Sequence, residues 1–192
     1  MKRNDPREPW DRYFLAMAAH AATRSTCVRR QVGAVLTQDN RVRATGYNGS
    51  PAGYGHCFEG ACPRGRADAP VRSAKAMTEL HGDYGDCIAV HAEANALLAA
   101  ELKHRDASVL YATEAPCFGC AKLVAQSGVQ RVVYGDRTYP GWDAVRDFLR
   151  DCRVLVGEPE PVPDIGVPTI GEKLGLVAHE EETDLIQPGG DR

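Results

Sequence analysis

Three potential metal ligands stand in two short segments of the chain, and a carboxylate accompanies one of them. His91-Ala92-Glu93 opens one run of good helix formers, and Pro116-Cys117-Phe118-Gly119-Cys120 opens another. An imidazole and two thiols form a donor set suited to Zn²⁺. A C-x-x-C at a helix N-terminus directs both sulfurs to one side, and the helix dipole with its open N–H groups favours thiolates over thiols there. Three protein ligands leave a fourth position open, as in catalytic rather than structural sites, and a zinc ion so held lowers the pKa of its water towards ~7. Glu93, two residues beyond His91, is near enough to handle protons at that position without binding metal. Either segment by itself is a weak signal, because C-x-x-C also serves redox and structural sites. Both together, in this order and each opening a predicted helix, point to a catalytic zinc. The competing reading is a structural zinc with Glu93 on a helix surface.

The elements that must position these residues follow from periodicity. Residues 8–23 carry apolar side chains at Trp10, Phe14, Met17, Ala18 and Ala21, the spacing of an amphipathic helix. Segments 31–37 and 41–47 are rich in Val and Thr and flank Gln38-Asp39-Asn40, which predicts a β-hairpin. Residues 48–72 are dense in Gly, Pro, Ala and Cys and read as a long loop, with a short helix expected over 71–81. Helices are expected over 91–104, 116–128 and 142–151, and strands over 107–113, 129–135 and 152–157. Alternation of helix and strand predicts that the last three strands are parallel with right-handed crossovers. The expected fold is a three-layer α/β/α sandwich around one mixed five-stranded sheet. Residues 1–157 form the expected domain, with 48–90 as a Cys-rich insertion. The Pro- and Gly-rich segment 158–192, including Glu180-Glu181-Glu182, is expected to be a mobile or draped acidic tail.

Composition narrows the function classes. The chain has 192 residues, 43% hydrophobic and 26% charged, which excludes collagen-like, coiled-coil and wholly disordered classes. No stretch approaches the ~18 apolar residues of a membrane span, and the polar start MKRNDPREPW is neither a signal nor a transit peptide, so the expected compartment is the cytoplasm. The net charge of −3 is unevenly spread: residues 158–192 hold nine acidic and two basic side chains, and the remainder is mildly basic. A basic body suits an anionic substrate or nucleic acid, although it equally describes a solvated surface.

Seven cysteines are many for a chain expected in a reducing compartment, and an odd count excludes full disulfide pairing. Beyond Cys117 and Cys120, the thiols of Cys27, Cys57, Cys62 and Cys87 could close a tetrahedral zinc site that orders the long loop, with His81 or His56 as alternative ligands. The bland reading is four small buried hydrophobes. Cys152 starts the last predicted strand and is expected in the core.

H-x-E followed by P-C-x-x-C is the pattern of zinc-dependent base deaminases. The chain resembles the deoxycytidylate (dCMP) deaminase family of the cytidine deaminase-like superfamily in RSTC (24–27), QVGAVL (31–36), TGYNGSPAGYGHC (45–57), IAVHAEANALL (88–98), LYATEAPCFGC (110–120), AQSGVQRVVYGD (125–136) and PGWD (140–143). The resemblance implies hydrolysis of dCMP to dUMP and ammonia, with water attacking C4 and Glu93 protonating N3. It implies Asn48 against the sugar, unless Asn48 only shapes its turn, and the Ala92 N–H against the base; Tyr139, just after the strand expected over 129–135, is expected to stack on the ring or else to serve packing. Arg24 and Ser25 are expected at the 5′-phosphate, with Arg29 and Arg30 close by, the alternative for Arg24 being a solvated helix end. It further implies Zn²⁺ as cofactor, one catalytic and one structural ion, with dCTP and dTTP as effectors and a homo-oligomer, hexamer or dimer. Neither a membrane nor a stable nucleic-acid partner is expected. The alternatives are a deaminase of another cytosine nucleotide or nucleoside, a tRNA or single-stranded DNA base deaminase, which the 7% aromatic content and acidic tail disfavour, and a non-catalytic zinc module, which has no use for Glu93.

Overall fold

The computed structural model describes residues 6–62, 87–137, 141–168 and 170–174. Its elements run α1 (Trp10–Ala22), β1 (Gly33–Gln38), β2 (Arg41–Tyr47), a 3₁₀ turn (Cys57–Glu59), α2 (Ala92–Ala99), a second 3₁₀ turn (Leu102–His104), β3 (Ser108–Glu114), α3 (Phe118–Ser127), β4 (Val129–Arg137), α4 (Trp142–Asp151), β5 (Leu155–Val156) and α5 (Ile170–Lys173). The five strands form one sheet in the order β2-β1-β3-β4-β5. β1 is antiparallel to both neighbours, whereas β3, β4 and β5 run parallel. The mixed five-stranded α/β/α sandwich expected from the sequence is therefore the fold.

Side-chain alternation along the strands decides which helix covers which face. Val35, Tyr111 and Val133 pack against Phe14, Leu15 and Ala18 of α1. Their strand neighbours Ala34, Leu36, Leu110, Ala112, Val132 and Tyr134 pack on the other face against residues of α2, α3 and α4. Right-handed crossovers after β3 and β4 put α3 and α4 on the same side. The hairpin turns through Asp39 and Asn40, both with φ of 55°, the left-handed pair that a two-residue turn needs and that Asp and Asn tolerate. Asp11 pins the start of α1 to the sheet: its carboxylate accepts the Tyr111 hydroxyl at 3.1 Å and both Arg131 amino groups at 3.0 and 2.6 Å.

Three expectations need correction. The helix expected over 91–104 ends at Ala99. Ala100 is extended, with ψ of 138°, and its carbonyl accepts Arg105 Nη2 at 2.8 Å. The chain has to turn there to enter β3, and that tertiary demand overrides the helix propensity of the Ala-Ala-Glu-Leu-Lys run. The strand expected over 152–157 shrinks to Leu155–Val156, because Cys152 still caps α4 through its N–H to Phe148 O and Arg153 turns the chain with φ of 63°. Cys152 is consequently exposed rather than in the core. The expected helix at 71–81 and the acidic run 180–182 lie outside the described residues.

Two glycines set the separation of helix and sheet. A Cβ on Gly33 would lie 1.9 Å from the Ala18 carbonyl oxygen, and one on Gly46 would lie 2.1 Å from the Ala92 oxygen and 2.4 Å from the Ala96 nitrogen. Gly46 thus lets the start of α2 sit directly on β2. Both Gly33→Ala and Gly46→Ala should destabilise by about 1–3 kcal/mol or more through overpacking, read as a lower urea midpoint at unchanged m. Only Gly46→Ala should also weaken retention of zinc under chelator challenge, because α2 carries His91 at its start. Equal zinc retention in the two variants would contradict this role for Gly46.

Candidate metal centre and active site

His91 and Cys117 are both N-caps, His91 of α2 and Cys117 of α3, and Cys120 lies in the first turn of α3. Parallel β3 delivers the chain to the start of α3 through buried Ala115 and Pro116. The start of α2 is held by the turn after β2, where Gly49 and Val90 exchange two hydrogen bonds of 3.1 and 2.9 Å and Asn95 Nδ2 donates to Tyr47 O at 2.8 Å. The two helix N-termini thereby meet. His91 Nδ1 lies 3.4 Å from Cys117 Sγ and 3.5 Å from Cys120 Sγ, and the three ligand atoms all fall within 4.8 Å of one another. Bond lengths of ~2.0–2.1 Å to nitrogen and ~2.3 Å to sulfur at tetrahedral angles require a nitrogen–sulfur separation of about 3.5 Å. The donor set and its nitrogen–sulfur spacing fit zinc.

Electrostatics at this point are those of a cation site. A hydrogen bond from Cys120, then the one to His91, pulls the Cys117 thiol down to about 4 against the opposing effect of burial, and the Cys120 N–H reaches the same sulfur at 3.4 Å. The hydrogen bond to Cys117, with the negative charges of Glu93 and Cys117 adding to it, raises His91 to about 9. Cys120 shares its proton with Cys117 and is pushed up. Zinc binding displaces the protons held by His91 and Cys120, since metal ligates the deprotonated forms. Glu93 is 4% exposed, in the first turn of α2, beside the Cys120 sulfur. Burial pushes its carboxyl up to about 7, more than His91 draws it down. A carboxyl so poised is able both to accept and to return a proton near neutral pH.

The other residues singled out from the sequence fall into a second group around the turn after β2. Asn48 is buried; its Oδ1 accepts the Val32 N–H at 2.9 Å and lies 2.6 Å from the Ser25 hydroxyl, and its Nδ2 donates to Arg30 O at 2.8 Å. Ser25 is buried as well, also lies 2.9 Å from Asn48 O, and accepts the Cys27 N–H at 3.2 Å. Asn48 and Ser25 therefore lock the segment between α1 and β1 onto the end of β2. Arg24 and Arg29 are exposed on this segment, whereas Arg30 pairs with Glu114 at 3.3 Å. Ala92 is fully buried at the first position of α2, where a backbone N–H has no partner within the helix. Tyr139 and His81 lie outside the described residues.

Cys27, Cys57 and Cys62 are buried in one cluster, with Cys87 packed against it. Hydrogen bonds link Cys27 to Cys57, Cys57 to Cys62 and Cys62 to Cys87; the first of these brings Cys27 down to about 6 and pushes Cys57 up. His56 stacks on Phe58 with ring centroids 5.2 Å apart, and its Nδ1 is buried with no hydrogen-bond partner among the described residues. Sequence reasoning passed over Thr26 and Ser50, whose buried hydroxyls also have no partner there. Both flank Gly49, where an added Cβ would meet Thr26 Oγ1 at 3.0 Å. Their signal was membership in the RST and GYNGS runs, and only burial separates them from ordinary loop hydroxyls.

A family model for the cytidine and deoxycytidylate deaminase zinc-binding region matches residues 8–136. The deoxycytidylate deaminase of Mycobacterium phage D29 is 46% identical over 128 residues, covering 67% of this chain and 95% of that protein. The deoxycytidylate deaminase of Schizosaccharomyces pombe is 41% identical over 129 residues, but this match spans 37% of its length. Among solved structures, the dCMP deaminase of cyanophage S-TIM5 in complex with dCMP and dUMP superposes with a TM-score of 0.56 at 29% identity, covering 76% of this chain and 93% of the other. Residue types, fold and spacing agree with these likenesses, and the chain belongs to the cytidine and deoxycytidylate deaminase zinc-binding family.

Proposed function

We propose that this protein hydrolyses dCMP to dUMP and ammonia. The observation that carries the reading is the placement of a buried, proton-exchanging Glu93 against a His/Cys/Cys triad that fits zinc, in a chain whose relatives at 46% and 41% identity are deoxycytidylate deaminases. His91, Cys117 and Cys120 would hold the metal, which when bound supplies Lewis-acid activation of water at neutral pH. Glu93 takes the proton of the attacking water, delivers it to N3 of the cytosine, and assists departure of the amine from C4. The Ala92 N–H is an open donor at the helix start for the base. Asn48, with one Nδ2 hydrogen engaged by Arg30 O, sits at the turn where a sugar would lie, and the hydroxyls of Thr26 and Ser50 beside it, which have no partner among the described residues, support a ligand rich in oxygen. Arg24 and Ser25, with Arg29, are the candidates for the 5′-phosphate. The Arg30–Glu114 pair makes Arg30 a strut rather than a free phosphate donor. Tyr139 remains the proposed stacking partner of the base.

The clustered thiols of Cys27, Cys57, Cys62 and Cys87 support a second, structural zinc that ties down the Cys-rich insertion, with His56 or His81 as an alternative ligand. Among the described residues the catalytic triad is the one group whose ligand atoms already lie within 4.8 Å of one another, so closing the second site requires its sulfurs to draw in. Residues 1–157 constitute the catalytic domain in this reading, cytoplasmic and homo-oligomeric, with dCTP and dTTP as effectors.

Glu93→Gln should retain the fold and zinc but lose ~10²–10⁴-fold in kcat, the scale of lost general acid–base catalysis, measured as dUMP formed; near-wild-type turnover would remove Glu93 from the mechanism. Metal analysis of the purified protein should find two zinc ions per chain, and Cys57→Ser should lower that to one and reduce Tm more than kcat. A single zinc in fully active protein would leave the four cysteines as buried thiols. Wild type should prefer dCMP to deoxycytidine by roughly 10³-fold in kcat/KM, because a site built to hydrogen-bond a group leaves its own polar atoms unpaired when that group is missing. Arg24→Ala should shrink the preference by slowing dCMP only. Equal rates on the two compounds would make the protein a nucleoside deaminase.

A further inference from the structure

The segment after β5 does not simply leave the domain. Gly157 N–H donates to Val132 O at 2.9 Å and Glu160 N–H to Tyr134 O at 3.0 Å, so the chain continues beside β4 through a parallel bridge between Glu160 and Gly135. Gly135 is a site of close approach: a Cβ there would fall 2.5 Å from Val162 Cγ2 and 2.1 Å from Thr113 O. Beyond it, Val162, Asp164 and Ile165 line, together with Ala22, Gln31 and Glu114, an open cavity of about 320 Å³.

Those last two residues hold the segment between α1 and β1. Residues 23–32 contain no helix or strand; backbone hydrogen bonds tie Thr23, Arg24 and Ser25 to the end of α1 and Thr26 and Val32 to Asn48, and side chains hold the stretch between them. The Gln31 side-chain amide donates to Cys27 O, and Glu114 anchors Arg30, whose carbonyl in turn accepts Asn48 Nδ2. The tail and the two anchors of the segment that carries Arg24 and Ser25 therefore line one cavity. Thr113, whose Oγ1 accepts the Gly33 N–H at 3.1 Å, lines the same cavity, and so does the C-terminal end of α1. The zinc ligands lie at the starts of α2 and α3, which cover the opposite face of the sheet.

We propose that residues 160–167 form a buttress that positions the substrate loop 24–31, acting through Gln31 and the Glu114–Arg30 pair. The proposal rests on the assignment of that loop to the nucleotide phosphate. With these tail residues drawn away, the half-buried Glu114–Arg30 pair becomes more exposed to solvent, where an ion pair is weak, and the loop populates conformers that do not bind. The apparent affinity for substrate falls by the fraction of loop that remains competent. Chemistry on bound substrate is untouched, because His91, Glu93, Cys117 and Cys120 are carried by other elements. Val162 and Ile165 are thus positioning residues, and their signature is a KM effect without a kcat effect.

The test uses the full-length chain carrying Val162→Asp and Ile165→Asp together. Amide exchange read by mass spectrometry should quicken at least about tenfold in a peptide covering residues 24–32 and stay at the wild-type rate in α2 and α3. KM for dCMP should rise about tenfold while kcat and the zinc held by His91, Cys117 and Cys120 are kept. Unchanged exchange in 24–32, faster exchange with an unchanged KM, or a fall in kcat at constant KM would each overturn the buttress. Where the charged pair prevents folding, Val162→Ala with Ile165→Ala should give the same pattern at smaller amplitude, and its absence there counts equally against the proposal. Wild-type protein without activity on dCMP would overturn the substrate assignment, whereas the exchange comparison would still decide whether the tail orders this loop.

Discussion

An imidazole and two thiols bind one ion only if two helix N-termini are brought to the same point, and the rest of the structure serves that requirement. His91 and Cys117 cap α2 and α3, so each places its ligand atom where the helix leaves its N–H groups open. The dipoles of both helices then favour negative charge at one place. The sheet enforces the meeting. β3 runs straight into the Pro116-Cys117 cap, and α2 is pressed onto β2 at Gly46, where any side chain would strike the helix backbone.

Burying a carboxyl at this convergence has a physical consequence. Glu93 has lost its water, and desolvation raises its proton affinity to about neutral. The neighbouring imidazole holds the rise in check. The same environment sharpens the contrast between the two thiols, one drawn down and the other pushed up by a shared proton. Residues that would be unremarkable on a surface become a carboxyl of raised proton affinity and a donor cluster that fits a cation because they share a small volume shielded from solvent.

Around this point the substrate side is organised by Asn48. Its amide links Ser25, Arg30 and Val32, and the adjacent Gly49 bridges to Val90, one residue before His91. The loop that would grip the nucleotide and the helix that would perform the chemistry therefore hang on successive residues of one turn. That turn explains how a ten-residue segment without regular structure keeps a defined geometry.

Local chemistry and periodicity were enough to find the His/Cys/Cys cluster, the buried carboxyl beside it, the hairpin, the parallel order of the last strands and the sandwich. Each depends on short-range spacing: H-x-E, C-x-x-C, an Asp-Asn turn, apolar residues every second or every third to fourth position. Where neighbours in space rather than in sequence decide, the sequence misled. The run 91–104 has the composition of one long helix, yet it breaks at Ala99 because β3 must begin and Arg105 can take the freed carbonyl. Cys152 looks like a strand residue and instead ends α4 at the surface. The role of Arg30 shows the same divide. Its place beside Arg24 and Arg29 marks it as one of three equivalent cations, and only the fold, by bringing Glu114 from a strand 84 residues away in sequence, turns it from a candidate phosphate donor into a strut. Residue types and their spacing determined the chemistry this chain is equipped for; tertiary structure decided which groups are buried together, because desolvation and ion pairing depend on distance in space, to which separation along the chain is blind.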